Sequence, residues 1–230
     1  MKTNYLFLTA VLSVLAMSSC QKDNLIDNHL KAPTEHSIYF LSQDNQSFEM
    51  MSISSINQNL KLDQIIRPRG YNASAHGRYT ATEFGYSLNF SAMQKPNGAN
   101  GHIKLDGSGV LLNAKIDVDC ITVVGNFAYF GGVITDVEFS EPSPIGVGSQ
   151  AYFAVVDNGE GTNADPDQFG SRVIFLPPGL LVTEALSQEM IDAFGIETWC
   201  DLWPLRYADD EEFPEFNFFD GGDPTNIQVK

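Results

Sequence analysis

Asp117-Val118-Asp119-Cys120-Ile121-Thr122-Val123-Val124, then Gly125-Asn126, then Phe127-Ala128-Tyr129-Phe130-Gly131-Gly132-Val133-Ile134 is the stretch on which the fold turns. Two runs rich in β-branched and aromatic residues flank a Gly-Asn pair, which reads as an antiparallel hairpin with a primed turn. That register sets Val124 opposite Phe127, Thr122 opposite Tyr129, Cys120 opposite Gly131 and Val118 opposite Val133. A glycine facing a cysteine leaves room for a disulfide partner or an aromatic ring from elsewhere. The plainer reading of Gly131-Gly132 is a twist or a bulge. Apolar residues on both faces of the second run predict a strand covered on both sides.

Toward the C-terminus, Glu141-Pro142-Ser143-Pro144 and Gly146-Val147-Gly148 make a link unfit for a sheet interior, and strand pattern resumes over residues 151–156. An acidic glycine loop follows, carrying Asp157, Glu160, Asp165 and Asp167. Oxygen-rich loops of this kind suit Ca²⁺, the one cofactor the sequence suggests. With Asp157 at the first position of a calcium loop, however, the third and fifth are Gly159 and Gly161 and the twelfth is Gln168. The alternative is a structural connection between strands.

Residues 172–176 form another strand, stopped by Pro177-Pro178-Gly179. A single short helix is expected over 183–194: Leu186, Met190, Ile191 and Phe194 share one stripe, Thr183 caps and Gly195 ends it. Beyond it, Trp199 and Trp203 beside acidic and amide side chains suggest a surface that stacks sugar rings, against the plainer reading of aromatics that cover apolar surface.

Toward the N-terminus, Tyr86, Leu88 and Phe90, with Phe84 before them, alternate with small polar residues as in a half-buried strand. Residues 95–101 read as a loop and 102–106 alternate again, so these two strands make a hairpin. Residues 37–41 and 48–56 are weaker strand candidates in a poorly defined extension over 37–70, broken by Arg67-Pro68-Arg69-Gly70. The β-rich domain is expected to span 71–230, with the helix inserted before the last strand.

At the start, Lys2 precedes an apolar run over 5–17 that is too short for a permanent membrane helix and reads as an export signal. Met17-Ser18-Ser19-Cys20 resembles a bacterial lipobox, which implies a signal peptide of residues 1–19 and lipidation of Cys20. An ordinary secretory signal with an unmodified Cys20 is the alternative. Residues 20–36 are polar and unpatterned, as a tether is. Gln21-Lys22-Asp23-Asn24 resembles the tags of Bacteroidota-type lipoproteins at the cell surface. Export leaves Cys120 and Cys200 in an oxidising compartment, where they are either bonded to each other or buried as small hydrophobes.

The composition, 43% hydrophobic and 11% aromatic, is that of a packed domain. A formal charge of −16 argues against nucleic acid and against direct docking on anionic lipid, so membrane attachment falls to the lipid. Phe90-Ser91-Ala92 with Pro96-Asn97-Gly98, then residues 119–135, then Val155-Val156-Asp157-Asn158-Gly159-Glu160-Gly161 with Pro166-Asp167, and finally Asn226-Ile227-Gln228-Val229 resemble an uncharacterised family of secreted bacterial β-rich domains. Ile121 and Thr225 stand where that family has Leu and Gly. The resemblance implies a β-rich fold and brings no catalytic residue.

The expected fold is thus mainly β, an antiparallel β-barrel or β-sandwich with one short helix near the C-terminus. No zinc-protease, Cys-x-x-Cys, nucleophile-elbow or phosphate-loop motif is present. The chain reads as an outer-membrane lipoprotein, at the cell surface or on the periplasmic face, with a non-catalytic binding or structural domain whose partner is a glycan or another surface protein. Two alternatives stand beside it: a glycan-acting hydrolase using Asp157 or Glu160 at a sheet end, and a barrel holding a small apolar ligand.

Overall fold

The computed structural model describes residues 37–42, 45–53, 73–81, 85–159, 164–170, 173–205, 218–220 and 226–230. The predicted signal and tether, and all of 54–72, lie outside them. Among the described residues, twelve strands form one antiparallel sheet: β1 (Ser37–Leu41), β2 (Phe48–Ser52), β3 (Ser74–Ala81), β4 (Tyr86–Lys95), β5 (Gly98–Gly107), β6 (Leu111–Val124), β7 (Phe127–Phe139), β8 (Gln150–Val156), β9 (Gln168–Gly170), β10 (Ile174–Leu176), β11 (Phe218–Asp220) and β12 (Asn226–Val229). Their order is β12-β3-β4-β5-β6-β7-β8-β10-β1-β2, and β9, paired with β11, joins the far end of β8.

The sheet curls around a large core in which Phe90 stacks on Phe130 (ring centroids 4.8 Å apart) and Tyr79 on Phe169 (4.7 Å). It is not closed as a barrel, because β12 and β2 remain its two ends. The inside is lined by the side chains of this core.

Sequence alternation and burial agree where one face is wet. Tyr86, Leu88, Phe90 and Ala92 of β4 are buried and their neighbours are not. In β1, β8 and β10 essentially every residue is buried, because helices cover the outer face. The strand candidate over 37–41 is a strand, and it lies in the sheet between β10 and β2. The loop expected over 95–101 is much shorter: Lys95 pairs with Gly98, only Pro96-Asn97 turn, and Gly98 to Gly101 belong to β5.

The expected helix is two helices, α1 (Val182–Ala185) and α2 (Gln188–Phe194), broken because Ser187 takes an extended conformation and caps α2, its Oγ accepting from the Met190 N–H at 3.4 Å. Gly195 ends α2 at φ 64°, and Ile196 N–H closes back on the Ile191 carbonyl, the left-handed ending that favours glycine. Then α3 (Trp199–Leu202) brings Cys200 to the sheet, where it forms a disulfide with Cys120 across 80 residues of chain.

Register in the central hairpin decides which face that bond occupies. The turn is as expected, with Gly125 at φ 62° and Val124, Thr122 and Cys120 opposite Phe127, Tyr129 and Gly131. Val118, however, pairs with Gly132 rather than Val133, because Asp119 is bulged out of the ladder. One extra residue exchanges the faces: Ile116 and Val118 before it point into the large core, as does Ile121 after it, while Cys120 joins the helix-side cluster. The two glycines serve different neighbours. A Cβ on Gly132 would stand 1.9 Å from the Asp117 carbonyl oxygen within the bulge, and one on Gly131 would stand 2.5 Å from the Tyr152 ring packed over it.

Candidate functional site

The bulge puts Asp119 at the rim between the sheet and the helices. On one side is a concavity of about 360 Å³, walled by Gln94, Lys95 and Pro96 at the β4–β5 turn and by Thr122, Glu197 and Thr198. On the other is a second of about 380 Å³, walled by Gln150, Tyr152, Leu180, Val182 and Trp199. Asp119, Cys120, Glu197 and Thr198 line both. Asp119 is an exposed residue, yet these walls crowd its carboxyl. Desolvation raises it to about 6, against a smaller opposing effect of its own backbone N–H. That is the only donor this carboxylate meets among the described residues. The Tyr152 phenol beneath is pushed well up, first by burial and second by the Asp119 charge. Its hydroxyl donates to Gln150 Oε1 at 2.6 Å.

Asp201 lines the first concavity but is engaged. Its Oδ1 accepts from Thr122 Oγ1 at 2.7 Å, and its Oδ2 accepts from the Glu197 N–H (3.0 Å), the Thr198 N–H (2.9 Å) and Thr198 Oγ1 (2.9 Å). It ties α3 to β6 next to the disulfide and so fixes one wall of the site.

The acidic loop is engaged in the same way. Asp157 Oδ1 accepts from the Gly159 N–H (2.8 Å) and its Oδ2 from the Val229 N–H (2.9 Å). Asp167 Oδ1 accepts from the Asn158 N–H (3.0 Å) and its Oδ2 from the Ile227 N–H (2.7 Å). Ile227 and Val229 are the β12 residues whose N–H groups face away from β3, so two carboxylates satisfy the free edge of the terminal strand and complete the curl that no ladder closes. Asn126 Nδ2 donates to the Asp157 carbonyl at 3.0 Å, and Asn158 Nδ2 to the Pro166 carbonyl at 2.6 Å. The Gly-Asn, Asp-Asn-Gly, Pro-Asp and Asn-Ile-x-Val segments therefore meet in one clasp.

A calcium ion would have to compete with four backbone amides for Asp157 and Asp167. Asp165 is exposed and Glu160 lies outside the described residues, among which no three acidic, histidine or cysteine side chains gather as a metal site. The stacking expectation for Trp199 and Trp203 is overturned. They are 4% and 1% exposed and stack on each other with centroids 5.7 Å apart, and Trp199 Nε1 donates to the Leu180 carbonyl at 3.1 Å. They fill the core between helices and sheet because α3 lies flat on β6 and β7.

Sequence reasoning singled out neither Asp119 nor Glu197. The available signal was Gly131-Gly132 opposite Asp119, since paired glycines in a strand mark a bulge and bulges redirect side chains at sheet rims. Compared with family models, with curated proteins and with solved structures, the chain gives no match.

Proposed function

We propose that this protein is an envelope lipoprotein, held in the outer membrane by lipid on Cys20, whose β domain binds a polar ligand in the concavity over Asp119 without transforming it. The observation that carries the binding part is a carboxylate that meets no outside donor among the described residues, set in a concavity of about 360 Å³, within the size range of small-ligand sites. Support for the anchor is the lipobox-like Met17-Ser18-Ser19-Cys20 and the polar segment after it. Of the two carboxylates expected to serve a glycan-acting hydrolase, Asp157 accepts a backbone N–H at each oxygen and Glu160 lies outside the described residues, while both tryptophans are buried.

Two measurements on the full chain test the reading. Cys20→Ala is expected to block lipid attachment, seen by mass spectrometry, and to move the protein out of the membrane fraction; a variant still lipid-modified and membrane-bound contradicts the anchor. A saturation-transfer screen of small polar compounds is expected to give hits that weaken in Asp119→Asn. Hits indifferent to that substitution contradict the site.

A further inference from the structure

Strand register fixes where the chain from Cys20 enters the sheet. Tyr39 is opposite Phe175, which sets Ser37, the first residue of β1, level with Pro177, and Leu176 is opposite Gln150. The start of β1, the turn over 177–181 and the turn over 146–149 therefore meet at one end of the adjacent strands β8, β10 and β1. The two turns touch. Gln150 Nε2 donates to the Leu180 carbonyl at 3.3 Å, and a Cβ on Gly148 would stand 3.9 Å from Pro178 Cβ.

This end is apolar, exposed and uncharged. Val147 is 66% and Leu181 60% exposed, whereas the other exposed large hydrophobic side chains among the described residues, Met50, Met93 and Val133, are less exposed and stand within strands. Pro178 is exposed as well. Residues 142–156 and 173–183 carry no Asp, Glu, Lys, Arg or His, in a chain of formal charge −16. The Glu184 that follows is turned back onto the backbone, its Oε2 accepting from the Leu181 N–H at 2.8 Å.

We propose that the tips carrying Val147, Pro178 and Leu181 rest in the headgroup region of the membrane that holds the Cys20 lipid. The domain then stands on this end and turns the opposite end of β8, with the loop from Asp157 to Asp167, away from the bilayer. The inference rests on the reading of Cys20 as the lipid anchor and adds the face and the orientation. Residues 20–36 separate the lipid from Ser37 by at most about 60 Å even when fully extended, so the bilayer is always within reach of this end. A membrane fits the tips better than a second protein does, because the anchor brings it there without a further binding event. The lipid supplies attachment, and uncharged apolar tips supply orientation where the rest of so acidic a chain is repelled by anionic headgroups.

The test uses the full chain in nanodiscs of phosphatidylethanolamine and phosphatidylcholine, after mass spectrometry of Cys20. With Cys20 lipid-modified and Cys120 bonded to Cys200, one introduced cysteine takes a nitrobenzoxadiazole dye. The dye is placed in turn at Val147→Cys, at Pro178→Cys and, at the opposite end of β8, at Asp165→Cys, and doxyl-labelled lipid is the quencher. Quenching at positions 147 and 178 is expected to be at least about threefold that at 165. Val147→Asp with Leu181→Asp is expected to bring the dye at 178 down to the level seen at 165. Equal quenching at all three positions, or the most at 165, overturns the orientation. A dye at 178 still quenched in the double aspartate variant overturns the role of the apolar tips. Lipid on Cys20 with no quenching anywhere leaves the anchor standing and overturns this inference alone, whereas a chain without lipid that stays off the discs overturns both.

Discussion

Asp167 and Asp119 are the same residue type at two rims of one sheet, and their settings are opposite. Around Asp167, backbone N–H groups of Asn158 and Ile227 converge on both oxygens, so the charge holds the terminal strand in place. Around Asp119 the carboxylate meets no donor but its own backbone N–H among the described residues, so burial works against the charge and raises the carboxyl to about 6. What a carboxylate does is thus decided by the backbone amides brought to it, and acidity of a loop is a poor guide. The loop with the most acids is a clasp; the single bulged acid lines two concavities.

The largest expected effect comes from removing the staple beside Asp119. Replacing Cys120 and Cys200 together by alanine should cost about 4.5 kcal/mol in the chain-entropy model for a loop of 80 residues, read by urea unfolding. It should also release the helical wall, so that the Asp119 carboxyl, followed by NMR, falls back toward the ordinary range.

Next is Asp201→Asn, which leaves one amide oxygen to serve the donors that two carboxylate oxygens accept. A loss of roughly 3 kcal/mol is expected, because the site is buried and its donors stay unsatisfied. A loss below about 0.5 kcal/mol would show that α3 is held by other contacts.

Asp167→Asn should cost roughly 2 kcal/mol, and the amide hydrogens of Ile227 and Val229 should exchange faster while those of β4 and β5 do not change. Uniform acceleration would mean that the clasp is part of the global unfolding unit rather than a local lock.

The smallest effect has the opposite sign. The raised carboxyl means that the folded state binds a proton more tightly than the unfolded chain does. Its contribution to stability is fully present below the ordinary aspartate range and is lost as pH rises through about 6. Asp119→Asn lacks this dependence. It should match the wild type near pH 4 and melt a few degrees higher at neutral pH.

Much of the fold was legible because its strands follow period two. Tyr86, Leu88 and Phe90 alternate, and Val124-Gly125-Asn126-Phe127 marks its own turn. The segment 37–41 was harder to read, since a strand buried on both faces has no alternation to show. The helix break at Ser187 was hidden because the apolar stripe from Leu186 to Phe194 runs across it. At the site, Thr122, Asp201 and Glu197 come from separate elements, and no spacing in the chain announces their meeting. The disulfide could be proposed from compartment and count, but its face depended on one bulged residue.

The contrast between the two aspartates is tested most directly by melting wild type, Asp119→Asn and Asp167→Asn side by side at pH 7.5. Asp119→Asn should melt above the wild type, and Asp167→Asn below it by roughly 5 °C. An Asp119→Asn protein that melts below the wild type would contradict the account, since Asp119 would then be a structural carboxylate like the others.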